Sequence, residues 1–439
     1  MNDTLKKIDK LDKIKQDIKI DLPSSKSYLN RALIVASIQN ENQKTTLTNV
    51  VNICDDVRDL ISILQQLGVH ISIDNNHKNG TQNIVIYGKN KKFNKPKNTI
   101  INCGPGGTTT RFVLGLSLLF DFDIEITATG KMLERPINSL INVIKLLGKN
   151  VEYLKNEGCL PVKNSGKITK NIKKIEIDCS KSSQFLTAIL LLSSNIGVQQ
   201  ILAKNVVSKT YINITEDVLK QFGIDVEITE INNDLLCEVS INIDEKFADN
   251  AVEIEPDWSS ASYFLALEFL FNTKLNIAGL DKKTSQGDSK FIEILQQIKE
   301  FKNEKITNNN DILTIDMSTM PDVSMTAMVV CAFQDFITKI IGLGTLKNKE
   351  CDRLKAMHDE LEKLGVKTEI SSEYDAITIY GNSNLTIEKD VKINTYNDHR
   401  IAMCLAVVGA KLGHIIIDNP KVVNKSFPSF WQEFEKCYK

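Results

Sequence analysis

Six times along this chain a short run of small polar residues opens into an apolar, helix-forming segment rich in small side chains. The segments are SSKSYLNRALIVAS, GPGGTTTRFVLGLSLL, SKSSQFLTAILLLSS, DWSSASYFLALEFL, PDVSMTAMVVCAF and NDHRIAMCLAVVGA. Ser27, Thr108, Ser183, Ser259, Ser324 and His399 mark comparable points, spaced by 81, 75, 76, 65 and 75 residues. Repetition at a fixed period means that each unit is one supersecondary block whose neighbours complete its core. A second, amphipathic helix follows in each unit, and several run through Gly into a β-branched stretch, as in DDVRDLISILQQLGVHISI. Gly68, Gly148, Gly223 and Gly365 stand where a left-handed helix cap is expected, while the fourth unit has no such Gly near Lys299. Segments such as NIVIYG, IEIDCS, LLCEVSI and AITIYG supply strands in the intervals. The expectation is an α/β protein of repeated β-α-β-α-β-β-type units, three to a domain. One domain spans 25–252; the other combines 1–24 with 253–439, so the first strand belongs with the C-terminal half.

A length of 439 residues also favours two domains. Lys plus Arg number 54 against 55 for Asp plus Glu, a balance that argues against nonspecific nucleic-acid binding. The nine cysteines show no paired spacing, which argues against a disulfide framework or a zinc site and fits a reducing compartment. The N-terminus lacks a signal-peptide pattern and no apolar run is long enough to span a bilayer, so a cytoplasmic location is expected. Its Lys-rich first 13 residues read as a frayed tail. Only six arginines occur: Arg31, Arg58, Arg111, Arg135, Arg353 and Arg400. In a chain that otherwise prefers Lys, Arg is expected to persist where a planar fork must bind phosphate or carboxylate.

Several small-polar helix starts carry Lys or Arg beside them, a pattern suited to anions because the first N–H groups of a helix are free. Lys26, Ser27, Asn30 and Arg31 pair at four-residue spacing in the first. In CGPGGTTTRF, Gly107 permits close backbone approach, and Arg135 follows in ERPI. Ser182, Ser183 and Gln184, then Ser208 and Tyr211, offer neutral hydrogen-bonding groups; taken alone, serines at helix starts read as caps. In the C-terminal half, Asp322 stands at a helix start, where capping is the default reading. Lys349, Glu350 and Arg353 are spaced to place an acid between two cations on one helical face. His399 adjoins Arg400, and Lys425 lies in NKSFP. So many cations suit two substrates, each with a phosphate and a carboxylate.

In this order, SKSxxNRAL, ERPI, SSQFLTA, VSKTYI, SSASYFLA, SQGD, KExDRL, YNDHRxAM and NKSFP resemble the 3-phosphoshikimate 1-carboxyvinyltransferase (EPSP synthase) family, from about Asp21 to Phe427. The resemblance implies the enolpyruvyl transferase fold, two inside-out α/β domains of three units each, closing on substrate in the cleft between them. It implies transfer of the enolpyruvyl group of phosphoenolpyruvate to the 5-hydroxyl of shikimate 3-phosphate by a monomer with no cofactor or metal. Shikimate 3-phosphate would be held by Lys26, Ser27, Arg31, Ser182, Ser183, Gln184, Ser208, Tyr211, Asp322 and Lys349. Phosphoenolpyruvate would be held by Lys26, Gly107, Arg135, Gln184, Arg353, Arg400 and Lys425. Asp322 and Glu350 would form the acid–base pair, with Lys26, Lys425 and His399 as further catalytic candidates. The sequence departs from the family pattern at Ser24 for Gly, Pro105 and Thr345 for Asn, and LKNKE for LRIKE, all near expected ligand contacts. The alternative is the related UDP-N-acetylglucosamine 1-carboxyvinyltransferase; Cys103, before a glycine turn, does not match that family's reactive loop cysteine.

Overall fold

The computed structural model describes residues 5–74, 80–241, 250–281, 283–304 and 312–438. The chain divides into two compact units, Ser24–Glu255 and the combination of Met1–Pro23 with Pro256–Lys439.

The first unit repeats one motif three times. A strand, a helix and a parallel strand are followed by a second helix and an antiparallel hairpin. In the second repeat, Ile100–Asn102 pairs in parallel with Ile124–Thr127, which pairs antiparallel with Val162–Ser165, and Asn150–Tyr153 closes the edge. Lys174–Asp178, Gln200–Lys204, Asp234–Ile241 and Ile224–Ile231 form the third sheet in the same way. The first sheet takes its parallel edge strand from the far end of the unit: Asn250–Glu253 pairs with Lys44–Val50, Asn250 opposite Thr45. Gly68, Gly148 and Gly223 hold φ of +84°, +102° and +70° after the second helices, as their spacing predicts.

The second unit contains another such sheet, Leu313–Asp316, Ile337–Ile341, Ile377–Tyr380 and Thr368–Ile370, with Gly365 at φ +83°. Smaller sheets join Lys19–Ile20 to Asn276–Ile277 and Leu5–Ile8 to Ile415–Asp418 and Val391–Ile393. The end of the fourth unit's second helix, Phe291–Glu304, runs into residues outside those described.

In each unit the first helix of every repeat lies inside. Lys26–Ser37 is buried continuously from Tyr28 to Ser37, and His399–Leu412 from His399 to Ala410. A helix apolar on all sides belongs in a core, and the small residues seen in the sequence let three such helices pack together. The second helices and strands bury one face each, as in the alternating pattern of Gln82–Tyr87. The arrangement places the N-termini of inner helices, with their flanking cations, in reach of one another within a unit.

The N-terminal segment corrects the frayed-tail reading for its described residues. Leu5–Ile8 forms a strand, and Ile8, Leu11 and Ile14 are buried in the second unit's core. Their three-residue spacing supplies an apolar stripe that a solvated tail would not need. Gly409 makes room: a Cβ there would lie 2.7 Å from the Ile8 side chain. Removing residues 1–14 should therefore destabilise the protein by roughly 5 kcal/mol, at 1.5–3 kcal/mol per buried aliphatic side chain. Urea unfolding of the truncated protein measures this; an unchanged midpoint and slope would contradict it.

Candidate active site

Two clusters of buried charge emerge, one in each unit. In the unit Ser24–Glu255, Lys26 opens the first inner helix and its Nζ lies 2.9 Å from Asp56 Oδ2. Asp56 is itself buried at the start of Asp55–Gln66, and its backbone carbonyl accepts from Thr109 Oγ1. Arg31, one turn after Ser27, donates to Ser27 O (2.8 Å), Thr215 Oγ1 (2.9 Å) and Tyr211 O (3.0 Å) and lies over the Phe112 ring. Its surroundings are oxygen dipoles and an aromatic face, with no carboxylate partner among the described residues. Burial pushes its pKa down to about 9, with Tyr211 opposing the shift.

Arg111 extends this surface. It donates to Gln184 Oε1 (2.6 Å) and Pro136 O (3.2 Å), while Gln184 Nε2 donates to Thr108 Oγ1 (2.9 Å). Gln184 thus joins the second and third inner helices. A Cβ on Gly107 would sit 2.7 Å from Arg135 Nη1 and 3.0 Å from Arg111 Nη1, so the missing side chain admits two guanidiniums to one helix start. Arg135 is 8% exposed, and its Nε is buried without a hydrogen-bond partner. Ser182 Oγ accepts from the Gln184 backbone, and Ser183 is buried beside it. Ser208 adopts φ +52° just ahead of the helix Thr210–Gln221, on which Tyr211 stands.

In the other unit, Arg353 is the hub. It is 1% exposed and meets three carboxylates: Asp398 Oδ2 at 2.7 Å, Glu350 Oε2 at 2.8 Å and Asp322 Oδ1 at 3.1 Å. Lys349 reaches Asp322 Oδ1 at 3.0 Å and Arg400 reaches Asp322 Oδ2 at 3.0 Å. Lys425 lies 3.0 Å from Glu350 Oε1. Burial alone would raise the Asp322 pKa, but Arg400, Lys349 and Arg353 together hold it well below the ordinary carboxylate value. Burial lowers the Lys349 pKa despite Asp322. For Arg353 the order reverses, since the three carboxylates outweigh burial and raise its pKa.

Local structure differs from the spacing argument at two points. Lys349 and Glu350 do not share a helical face with Arg353, because the helix begins at Arg353 with Asp352 as its cap, accepting from Lys355 N. They approach Arg353 from the preceding turn instead. Asp322 lies in the turn Pro321–Val323 before the helix Ser324–Ala332, where it meets Lys349, Arg353 and Arg400. His399 is buried at the start of its helix, with Nδ1 3.5 Å from Asp398 Oδ1.

Three participants, all carboxylates, lie outside the candidates that the sequence offers. Asp56 grips Lys26, while Arg111, one of the six arginines expected to bind anions, holds Gln184 beside Gly107. Asp398 both caps the His399–Leu412 helix, accepting from Arg400 N, and grips Arg353. Asp288, in SQGD, accepts a hydrogen bond from Ser259 Oγ and is 5% exposed. Burial first, then the Asp322 charge, push its pKa up to about 6. The sequence shows the motifs containing Asp398 and Asp288, but the fold decides which of their residues face the charged cluster.

The folded state holds the Asp288 proton between about pH 4 and pH 6, where the unfolded chain has lost it, so this group's contribution to stability falls across that window. Asp288→Asn should gain on the parent by roughly 3 kcal/mol between pH 4 and pH 7, two pKa units at 1.4 kcal/mol each. Parallel urea melts at several pH values measure it; parallel curves for the two proteins would refute the assignment.

The EPSP synthase (3-phosphoshikimate 1-carboxyvinyltransferase) family model matches residues 8–434. A 3-phosphoshikimate 1-carboxyvinyltransferase of Buchnera aphidicola subsp. Cinara cedri is 34% identical over 424 residues, covering 95% of this chain and 94% of that protein. One from Colwellia psychrerythraea is 34% identical over 425 residues, covering 94% and 95%. A solved EPSP synthase from Acinetobacter baumannii shares the fold, with a TM-score of 0.70 at 20% identity over 99% of this chain and 98% of that one. With its repeated α/β units and a match over nearly its whole length, this chain belongs to the EPSP synthase family.

Proposed function

We propose that this chain transfers the enolpyruvyl group of phosphoenolpyruvate to the 5-hydroxyl of shikimate 3-phosphate, releasing phosphate, in chorismate and aromatic amino acid biosynthesis. The observation that carries this reading is the pair of buried guanidiniums, Arg31 and Arg135, neither with a carboxylate partner among the described residues. A buried cation without a counterion is costly unless an anion completes it. Two of them suit two anionic substrates.

On this reading shikimate 3-phosphate contacts Lys26, Ser27, Arg31, Ser182, Ser183, Gln184, Ser208, Tyr211, Asp322 and Lys349. Phosphoenolpyruvate contacts Lys26, Gly107, Arg135, Gln184, Arg353, Arg400 and Lys425. The 5-hydroxyl gives its proton to Asp322 and its oxygen attacks C2 of phosphoenolpyruvate, while C3 takes a proton from Glu350 or a neighbouring lysine. The tetrahedral product then loses a proton from that methyl carbon and expels phosphate, restoring the double bond. Asp322 starts as a weak base because three cations stabilise its charge. Anionic substrates drawing on Arg353, Arg400 and Lys349 would relax that hold and strengthen the base where the hydroxyl arrives.

The enzyme would work as a cytoplasmic monomer without cofactor or metal, on small molecules rather than nucleic acid or membrane. Near-balanced charge supports the exclusion of nucleic acid, and among the described residues no helix is long and apolar enough to cross a membrane.

Calorimetric titration tests the anion assignment. Arg31→Met should abolish shikimate 3-phosphate binding, and Arg135→Met should spare it while weakening phosphoenolpyruvate. Unchanged binding in both variants, or tight binding of UDP-N-acetylglucosamine by the parent, would overturn the reading.

A further inference from the structure

We propose that Tyr396 and Glu360 are positioning residues that hold the 394–398 turn so that Asp398 can orient Arg353 and Arg400. The proposal rests on the reading that those two arginines receive phosphoenolpyruvate.

Tyr396 and Asn397 adopt φ of +53° and +56° in succession. A left-handed conformation is uncommon for a residue with a side chain and rarer still for two in a row, so surrounding contacts must maintain it. Those contacts are present. Tyr396 Oη donates to Glu360 Oε1 at 2.8 Å, and Asn394 N donates to Glu360 Oε2 at 3.4 Å. Thr395 N donates to Asp418 Oδ1 at 2.7 Å, and Asn419 Nδ2 donates to Asn397 Oδ1 at 2.8 Å.

The turn delivers Asp398, which is fully buried. One carboxylate receives Arg353 Nε at 2.7 Å and the Arg400 backbone N–H at 2.9 Å. A displaced turn would therefore release both the side chain of Arg353 and the helix start carrying Arg400.

Glu360 and Arg353 stand seven residues apart on the helix Arg353–Lys363, two turns along one face. That helix consequently grips the turn at two points, Arg353 to Asp398 and Glu360 to Tyr396. Glu360 is 0% exposed, yet the charge facing it is that of Lys363 on its own helix, at 2.7 Å, with the Tyr396 hydroxyl opposite. Keeping a carboxylate in that interior fixes the tyrosine hydroxyl in a single place, a directional constraint that apolar packing would not supply.

Steady-state kinetics of Tyr396→Phe and Glu360→Gln test the proposal, with Arg353→Lys and Arg400→Lys alongside. Tyr396→Phe removes one oxygen and should leave the melting temperature within a few degrees of the parent. The expected result is a rise of about tenfold in KM for phosphoenolpyruvate in both positioning variants, with KM for shikimate 3-phosphate within about twofold. Parallel shifts in both KM values that track a falling melting temperature would mean a merely structural role and overturn it. If the arginine variants raise KM for phosphoenolpyruvate while Tyr396→Phe and Glu360→Gln do not, the positioning role falls alone. If the arginine variants also leave it unchanged, the assignment of the arginines falls and takes the positioning role with it.

Discussion

Arg353→Met is expected to destabilise the protein by about 3–5 kcal/mol, the range for breaking a buried ion pair from one side. Methionine fills much of the volume, so the loss would come from charge and not from a cavity. The substitution strands Asp398, which is fully buried, and leaves Glu350 and Asp322 each short of one cation. Arg353→Lys should recover only part of the loss, since an ammonium cannot present a planar fork to three carboxylates. Urea unfolding reads the difference, and a loss under about 1 kcal/mol would show that the hub is held by its surroundings instead.

Asp322→Asn should lower kcat by roughly 10²–10⁴-fold, the usual contribution of a positioned general base. The amide keeps the shape of the carboxylate but cannot take the hydroxyl proton. Its stability effect has a definite sign: a depressed folded pKa means that the bridges to Arg400, Lys349 and Arg353 contribute fully at neutral pH and fade only as pH falls through a value below 3.8. In the variant that acid-side loss should be smaller. Single-turnover rates at neutral pH, with melts between pH 3 and pH 7, separate the chemical effect from the electrostatic one. A kcat within about threefold of the parent would remove Asp322 from the base role.

Helices and caps were legible in the sequence because each carries a local signal. The inner helices declare themselves by small apolar residues behind a polar start, and Gly148 by standing where only a left-handed residue fits. Spacing alone starts the Arg353 helix one turn too early, because it cannot register that Asp352 caps the backbone better than Lys349 or Glu350. Leu5–Ile8 reads as part of a frayed tail because its partner, Ile415–Asp418, lies some 400 residues away and no local pattern connects them. The same limit applies to the site. Scarcity of Arg points to all six arginines, Arg31, Arg135, Arg353 and Arg400 among them, but not to the carboxylates that hold or free them. Asp56, Asp398 and Asp288 look like ordinary caps and surface acids until the fold brings them beside a cation or another acid.

The most direct test of the central claim is phosphate release from phosphoenolpyruvate with and without shikimate 3-phosphate, in the parent protein and in Asp322→Ala and Lys26→Ala. Release should require shikimate 3-phosphate and collapse in both variants. Release that is independent of shikimate 3-phosphate, or that appears only with UDP-N-acetylglucosamine, would contradict it.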